Sequence, residues 1–191
     1  MSDISPLFGL ILSGGHSRRY GTDKAAILLE GQPLLERMVQ IVSGAVDHLF
    51  VSVRPDQTED ALRNGYPLIL DEQSGWGPAG GILAAHGHEP SVAWLVVACD
   101  LAYLDEAAIV ALIASRQPDQ GATGYRSPVD GLAEPLCAIW EPATLRTFQR
   151  QAITGGQLSP RAMLASVNMH LIDVADAKKL VNINTPADRP V

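Results

Sequence analysis

The sequence predicts an α/β fold, an open and mostly parallel sheet with helices on both faces, and three observations carry that prediction. Short apolar runs alternate with stretches that suit helices, the pattern of parallel strands joined by crossovers. The first run, Phe8-Gly9-Leu10-Ile11-Leu12, stops abruptly at Ser13-Gly14-Gly15, as a buried strand does on entering a loop. No internal repeat, low-complexity tract or Gly/Ser/Pro-rich linker divides the 191 residues, a length that supports one well-packed domain over residues 1–191.

After the first strand comes a polar stretch from His16 to Lys24. Pro33 then introduces a helix in which Leu34, Leu35, Met38, Val39 and Val42 recur at helical spacing while Glu36, Arg37 and Gln40 face away, so one side covers the sheet. Leu49–Val53, Leu68–Leu70 and Ala93–Ala98 read as three further strands, each separated by a helix-compatible stretch. Gly77-Pro78-Ala79-Gly80-Gly81 opens a helical segment continuing through Ile82 to Ala85, and His86-Gly87-His88 before Pro90 reads as a loop. Asp105 is the expected N-cap of a helix whose inward face is Ala108, Ile109, Leu112 and Ile113. Leu136–Trp140 is another strand, Ser159-Pro160 caps and opens a short helix through Leu164, and His170–Ile172 is a last short strand.

Hydrophobic residues make up 47% of the chain and charged ones 18%, and 14 Lys+Arg against 21 Asp+Glu leave a formal charge of −7. That balance excludes a broad basic footprint for nucleic acid or an anionic membrane, while a local one stays open. The apolar runs Leu7–Leu12 and Val92–Cys99 fall well short of the roughly 20 residues that cross a bilayer, and no basic-then-apolar leader opens the chain. A soluble, cytoplasmic protein is expected. Cys99 and Cys137 lie in apolar strand-like stretches and read as reduced core thiols; Trp94 and Trp140 read as core packing. The two imidazoles of His86 and His88 have no Cys or third His nearby to complete a zinc site, and no metal is assigned to them.

Between Ser13 and Lys24 the chain combines three glycines, hydroxyls, two arginines and a lysine directly after a buried strand. Glycines let backbone N–H groups approach phosphate oxygens and cationic side chains offset their charge, so the composition suits a polyphosphate; a surface turn with solvated arginines is the plainer alternative. Gly21 is followed by Thr-Asp-Lys, which is not a Walker loop, and the glycine spacing is not the dinucleotide fingerprint. A generic ATPase or dehydrogenase is disfavoured.

Read as Leu-Ser-Gly-Gly-x-Ser-x-Arg-x-Gly-x-Asp-Lys, Leu12 to Lys24 resembles the signature loop of the MobA family of molybdenum cofactor guanylyltransferases, within the nucleotidyltransferase superfamily. Four further segments fall in the order that family shows: Gly31-Gln32-Pro33-Leu34, Gly77-Pro78-Ala79-Gly80-Gly81, Ala98-Cys99-Asp100, and Asn182-Ile183-Asn184-Thr185-Pro186. The resemblance runs from about Gly9 to Asp188 and implies a Rossmann-like, three-layer α/β/α nucleotidyltransferase fold.

Asp100 follows an apolar strand, so its carboxylate projects into the crevice beyond the strand ends; it can hold Mg²⁺, which commonly takes one or two carboxylates, or merely cap a turn. By resemblance it is the metal-binding Asp. The same resemblance implies a nucleotide site of Leu12, Ser13, Gly14, Gly15, Lys24, Ser52, Asp71, Gly80 and Asp100, with Lys24, Arg18 and Asp100 in the catalytic roles and Arg19 an alternative to Arg18. Asp71 could also be an ordinary loop carboxylate, Gly80 a packing residue, and Ser52 stands where family members often carry Asn. On an extended backbone Asn182 and Asn184 point to one side and Ile183 to the core; paired amides can read a pterin edge or make an Asx turn before Pro186. Arg161 resembles a family arginine near the molybdopterin phosphate, and a solvated surface charge is its alternative.

The activity this resemblance implies is Mg²⁺-dependent transfer of GMP from GTP to molybdopterin with release of pyrophosphate. The Gly14-Gly15 pair resembles the guanylyl form of the loop, whereas cytidylyl relatives tend to have Ala-Gly. Ala98 and Ala102 stand where the family usually has Pro around the Cys-Asp pair. The partners implied are GTP and the molybdenum cofactor, together with proteins that hand over or receive that cofactor, and neither nucleic acid nor membrane. A related enzyme using CTP or a sugar or polyol phosphate, or a non-catalytic nucleotide-binding regulator, are the other classes the residues allow.

Overall fold

Leu7–Leu12 forms β1, and its neighbours Leu10 and Ile11, which point to opposite faces, are both fully buried, so the sheet is covered on both sides. The computed structural model describes residues 4–14, 23–71, 73–156 and 158–183. Past a 3₁₀ turn at Lys24–Ala26, β2 (Leu28–Leu29) and β3 (Gln32–Pro33) make a small antiparallel hairpin around Glu30-Gly31, both at positive φ. Helix α1 (Leu34–Ser43) buries Leu34, Leu35, Met38 and Val42 as expected.

Strands β4 (His48–Val53) and β5 (Leu68–Leu70) follow, but the stretch between them is not helical. It forms a 3₁₀ turn at Pro55–Gln57 and further turns through residue 65, and it folds Gln57 and Arg63 inward. Pro55 and Pro67 bracket it and Asn64-Gly65 interrupts it, so the backbone makes successive turn hydrogen bonds, such as Gln57 N–H to Arg54 and Arg63 N–H to Asp60, instead of a continuous helical ladder. Helix α2 (Pro78–His88) runs further than expected: His86, Gly87 and His88 complete its last turn, and the helix stops just before Pro90. Then come β6 (Ala93–Ala98), α3 (Glu106–Ala114) capped by the Asp105 side chain on the Ala108 N–H, β7 (Ala122–Arg126) and β8 (Ala133–Trp140). Helices α4 (Pro142–Ile153) and α5 (Pro160–Ala165) and strand β9 (Met169–Ile172) complete the order. As expected, Ser159 caps α5, accepting from the Ala162 N–H.

The seven long strands run in the order β5-β4-β1-β6-β8-β7-β9, and β8 alone is antiparallel to its neighbours. Alternation divides the core between the two faces. Ile11, Leu95, Val97 and Ile139 pack with Leu35 and Met38 of α1 and Ile109 and Leu112 of α3. Leu10, Trp94, Val96 and Trp140 pack with Ile82 of α2 and Leu145 and Phe148 of α4. Both cysteines are buried, and burial pushes both thiols well above their ordinary range. Among the described residues no helix is long and apolar enough to cross a membrane.

Helix α2 lies directly on the strands because its first turn carries no side chains there. A Cβ on Gly81 would sit 2.4 Å from Ser52 Oγ and 2.7 Å from Leu12 Cδ2, whereas one on Gly87 would meet nothing within 4 Å. Gly81→Ala is expected to cost about 1–3 kcal/mol by forcing helix and sheet apart, while Gly87→Ala should stabilise by about 0.5 kcal/mol through helix propensity. Urea unfolding of the two variants checks the opposite signs.

Candidate active site

With β4 on one side of β1 and β6 on the other, the strand order reverses at β1, and the crevice beyond the ends of β1 and β6 is where such sheets bind ligands. The register sets Leu12 level with both Ser52 and Ala98, so Ser13 and Cys99 leave the sheet side by side. Ser13 is buried; its N–H and its hydroxyl both donate to the Ser52 carbonyl, at 3.2 and 2.9 Å. Arg54 Nη1 donates to the Gly14 carbonyl. A Cβ on Gly14 would stand 3.4 Å or more from Arg54 and Gln57, an ordinary contact, so packing against the described residues does not require glycine here.

Lys24 and Asp100 come together as the sequence suggests. Asp23 caps the 3₁₀ turn, its Oδ1 accepting from the Ala25 N–H at 3.0 Å, and Lys24 Nζ meets Asp100 Oδ2 at 2.7 Å with both side chains largely buried. Oδ1 of Asp100 takes no hydrogen bond from the described residues. The turn after β6 forms without the prolines: Ala102 is buried against Ile27, Leu34 and Ile183, and the Asp100 carbonyl accepts from the Ile183 N–H at 3.0 Å. Ile183 thus points to the core as expected, and Asn182 beside it has a buried Oδ1 with no hydrogen-bond partner among the described residues.

Asp71 lies across the first turn of α2, close enough that a Cβ on Gly80 would fall 2.3 Å from its Oδ1. Burial raises its carboxyl pKa, against the lowering effects of the Gln73 N–H and the Arg54 charge. Gly80 therefore has a packing role in bringing helix and carboxylate together. Ser52 is 2% exposed and packs against Gly81 at the floor of the crevice. Gly15, Arg18, Arg19 and Asn184 lie outside the described residues.

Arg161 is a partly exposed charge that pairs with Asp130 and, at 3.5 Å, with Glu134. Two residues at the site carry no motif that assigns them a role, and the first, Glu134, lies with Arg126 and Asp130 in the segment Gly124–Pro135 where an acceptor could be recognised. Carrying the β6/β8 register three residues beyond Val97 and Cys137 brings Glu134 level with Asp100. Its carboxyl pKa is raised, chiefly by burial and further by Asp130 and Asp100, against the opposing charge of Arg161. The second such residue is Arg63, a fully buried arginine that reaches both Ser13 and Asp23. Burial alone would lower its pKa; Asp23 and Asp60 outweigh that and raise it, so it stays charged. No local pattern marks Arg63, which sits in a polar stretch that reads as surface. His86, expected in a loop, is instead a 1% exposed helical residue whose pKa is lowered by burial and by Arg146. Among the described residues no three His, Cys, Asp or Glu side chains group to hold a metal.

Lys24 of the 3₁₀ turn paired with Asp100 just past β6, beside the end of β1 at the switch point, makes a crevice suited to a nucleotide, and the family match makes the chain a nucleotidyltransferase. A bifunctional molybdenum cofactor biosynthesis protein of Synechocystis is 36% identical over 98% of this chain, which spans 54% of that protein's length. A probable molybdenum cofactor guanylyltransferase of Synechococcus elongatus is 34% identical over 94% of each chain. The chain belongs to the MobA-like NTP transferase domain family, which matches residues 9–171. Its fold is that of the molybdopterin-guanine dinucleotide biosynthesis protein A of Archaeoglobus fulgidus, with a TM-score of 0.76 at 23% identity over 95% of this chain and 94% of that one.

Because Asp71 has a raised folded-state pKa, the native state holds its proton to higher pH than the unfolded chain does, so this group weakens the fold as pH rises. Asp71→Asn keeps the oxygen that accepts from Gln73 and removes the charge. Its unfolding free energy, measured in urea between pH 4 and pH 7, should gain on the wild type as pH rises through the titration of Asp71 and level off once the native carboxyl is ionised.

Proposed function

We propose that this chain transfers the GMP moiety of GTP to the terminal phosphate of molybdopterin, forming the guanine dinucleotide and releasing pyrophosphate. The observation that carries the reading is the Lys24–Asp100 pair at the crevice, in a chain whose full-length relative from Synechococcus elongatus is named for that activity. In this reaction an acceptor phosphate oxygen attacks the α-phosphorus of the nucleotide, a new P–O bond forms, and the bond to the β-phosphate oxygen breaks. The acceptor is already anionic, so positioning and charge neutralisation do the work and no side-chain nucleophile is needed.

Lys24 stabilises charge on the α-phosphate and the departing pyrophosphate. Gly14 and Gly15 bring backbone N–H groups to the phosphates, with Arg18 or Arg19 assisting, and Ser13, Leu12, Ser52, Asp71 and Gly80 complete the nucleotide side. Asp100 would hold Mg²⁺: it offers a hard oxygen at a strand end, and a single carboxylate suffices for an ion that fills its shell with water and phosphate oxygens. That ion supplies charge neutralisation across the phosphates. Arg161, Asn182 and Asn184 are assigned to the acceptor; the buried Oδ1 of Asn182, without a hydrogen-bond partner among the described residues, supports a ligand-directed amide there. The reading includes one catalytic domain over residues 1–191, a cytoplasmic setting, and proteins that deliver or collect the cofactor.

Pyrophosphate release is measured with Mg²⁺, molybdopterin and each of the four nucleoside triphosphates. GTP alone should support turnover, and Lys24→Ala and Asp100→Ala should each lower it by about 10³-fold or more with circular dichroism unchanged. Turnover with CTP, or with sugar phosphates in place of molybdopterin, would reassign the base or the acceptor, and wild-type rates in either variant would sink the mechanism.

A further inference from the structure

We infer that Arg63 is a positioning residue for the transfer step: by bridging Ser13 and Asp23 it sets the place of Lys24 against Asp100. This rests on the function proposed above. All three nitrogens of the guanidinium donate hydrogen bonds. Nε donates to Ser13 Oγ at 3.1 Å; Nη2 donates to the Ser13 carbonyl at 3.1 Å and to Asp23 Oδ1 at 2.9 Å. Nη1 meets Asp23 Oδ2 and Asp60 Oδ2, each at 2.6 Å. Four hydrogen bonds and one further ion-pair contact thus hold the guanidinium inside the protein, and Asp23 takes one of each.

The acceptors come from the two sides of the segment 15–22. Ser13 ends β1 and is otherwise tied to β4 through the Ser52 carbonyl; Asp23 caps the turn that begins with Lys24. A shift of Asp23 therefore moves the Lys24 backbone, and with it the Nζ that stands 2.7 Å from Asp100. Asp60, three residues before Arg63, steadies the guanidinium from its own segment without touching Ser13 or Asp23 in the described contacts. A lysine would keep the charge but has three donors on one atom and cannot span both sides.

Two variants of the full chain test this. Arg63→Lys removes the fork, and Asp23→Asn removes one bridged charge while keeping an oxygen for the Ala25 N–H. Kinetics with GTP, Mg²⁺ and molybdopterin should show kcat lowered by about tenfold or more with KM for GTP within about threefold, the split expected when a transition-state contact is misplaced. Amide hydrogen exchange should quicken by about tenfold or more over Lys24–Ile27 while Ala93–Ala98 is unchanged. Wild-type kcat and exchange in both variants would overturn the inference, as would exchange rising equally in Ala93–Ala98, which would mark Arg63 as a general fold stabiliser. If Arg63→Lys does not fold, Asp23→Asn decides. If the wild type releases no pyrophosphate, the guanylyltransferase reading fails, and the exchange measurement alone decides the role of Arg63.

Discussion

The crevice depends on β1 being paired in parallel along both edges. With β4 and β6 in register on either side of it, Ser13, the segment after Val53 and Asp100 all leave the sheet at one edge and at nearly one level. The crossovers must then pass over the two faces, which is why α1 and α3 share one face and α2 and α4 the other. Burial on both faces in turn demands the near-continuous apolar runs of β1 and β6. Composition, topology and the place of the site are therefore aspects of a single constraint.

Around that edge the cations are answered locally. Lys24 meets Asp100, Arg63 meets Asp23 and Asp60, and Arg161 meets Asp130 and Glu134. A chain with a net charge of −7 can thus present cationic groups to a polyphosphate without a basic surface, because these charges are held between elements instead of spread over one. Holding them there is costly unless each is paired, and Arg63, with no exposure, is paired with two carboxylates and hydrogen-bonded to Ser13 as well.

Much of this was legible in the residues. β1, β6, α1, α3 and α5 follow from apolar periodicity and capping, and the meeting of Lys24 with Asp100 follows from an apolar run ending in Asp beside a glycine loop. Other parts were not. β7 is Ala-Thr-Gly-Tyr-Arg, whose Gly124 passes close to Ala138 and Met169, and so small a set of side chains carries no strand signal. Helix α4 opens at Pro142 and buries Leu145, Phe148 and Ala152, a pattern visible only once Glu141 is taken as its boundary. The helical reading of residues 54–67 failed because its polar side chains point inward to serve the site. Arg63 escaped, and Glu134 was legible only as part of a candidate acceptor segment, for a related reason: their contacts are with partners 50 and 27 residues away, and no spacing rule reaches that far.

The reversed direction of β8 has a consequence for how such an enzyme changes over evolutionary time. β7 ends and β8 begins at the functional edge, so the six residues between them, 127–132, form a hairpin tip over the crevice and belong to no crossover. Lengthening or recomposing that tip rethreads nothing, since both strands keep their neighbours and no helix must be re-seated. The half of the crevice nearest Asp130 and Arg161 is thereby free to diversify, while the half built on β1 and β4 is committed to the architecture that supports it.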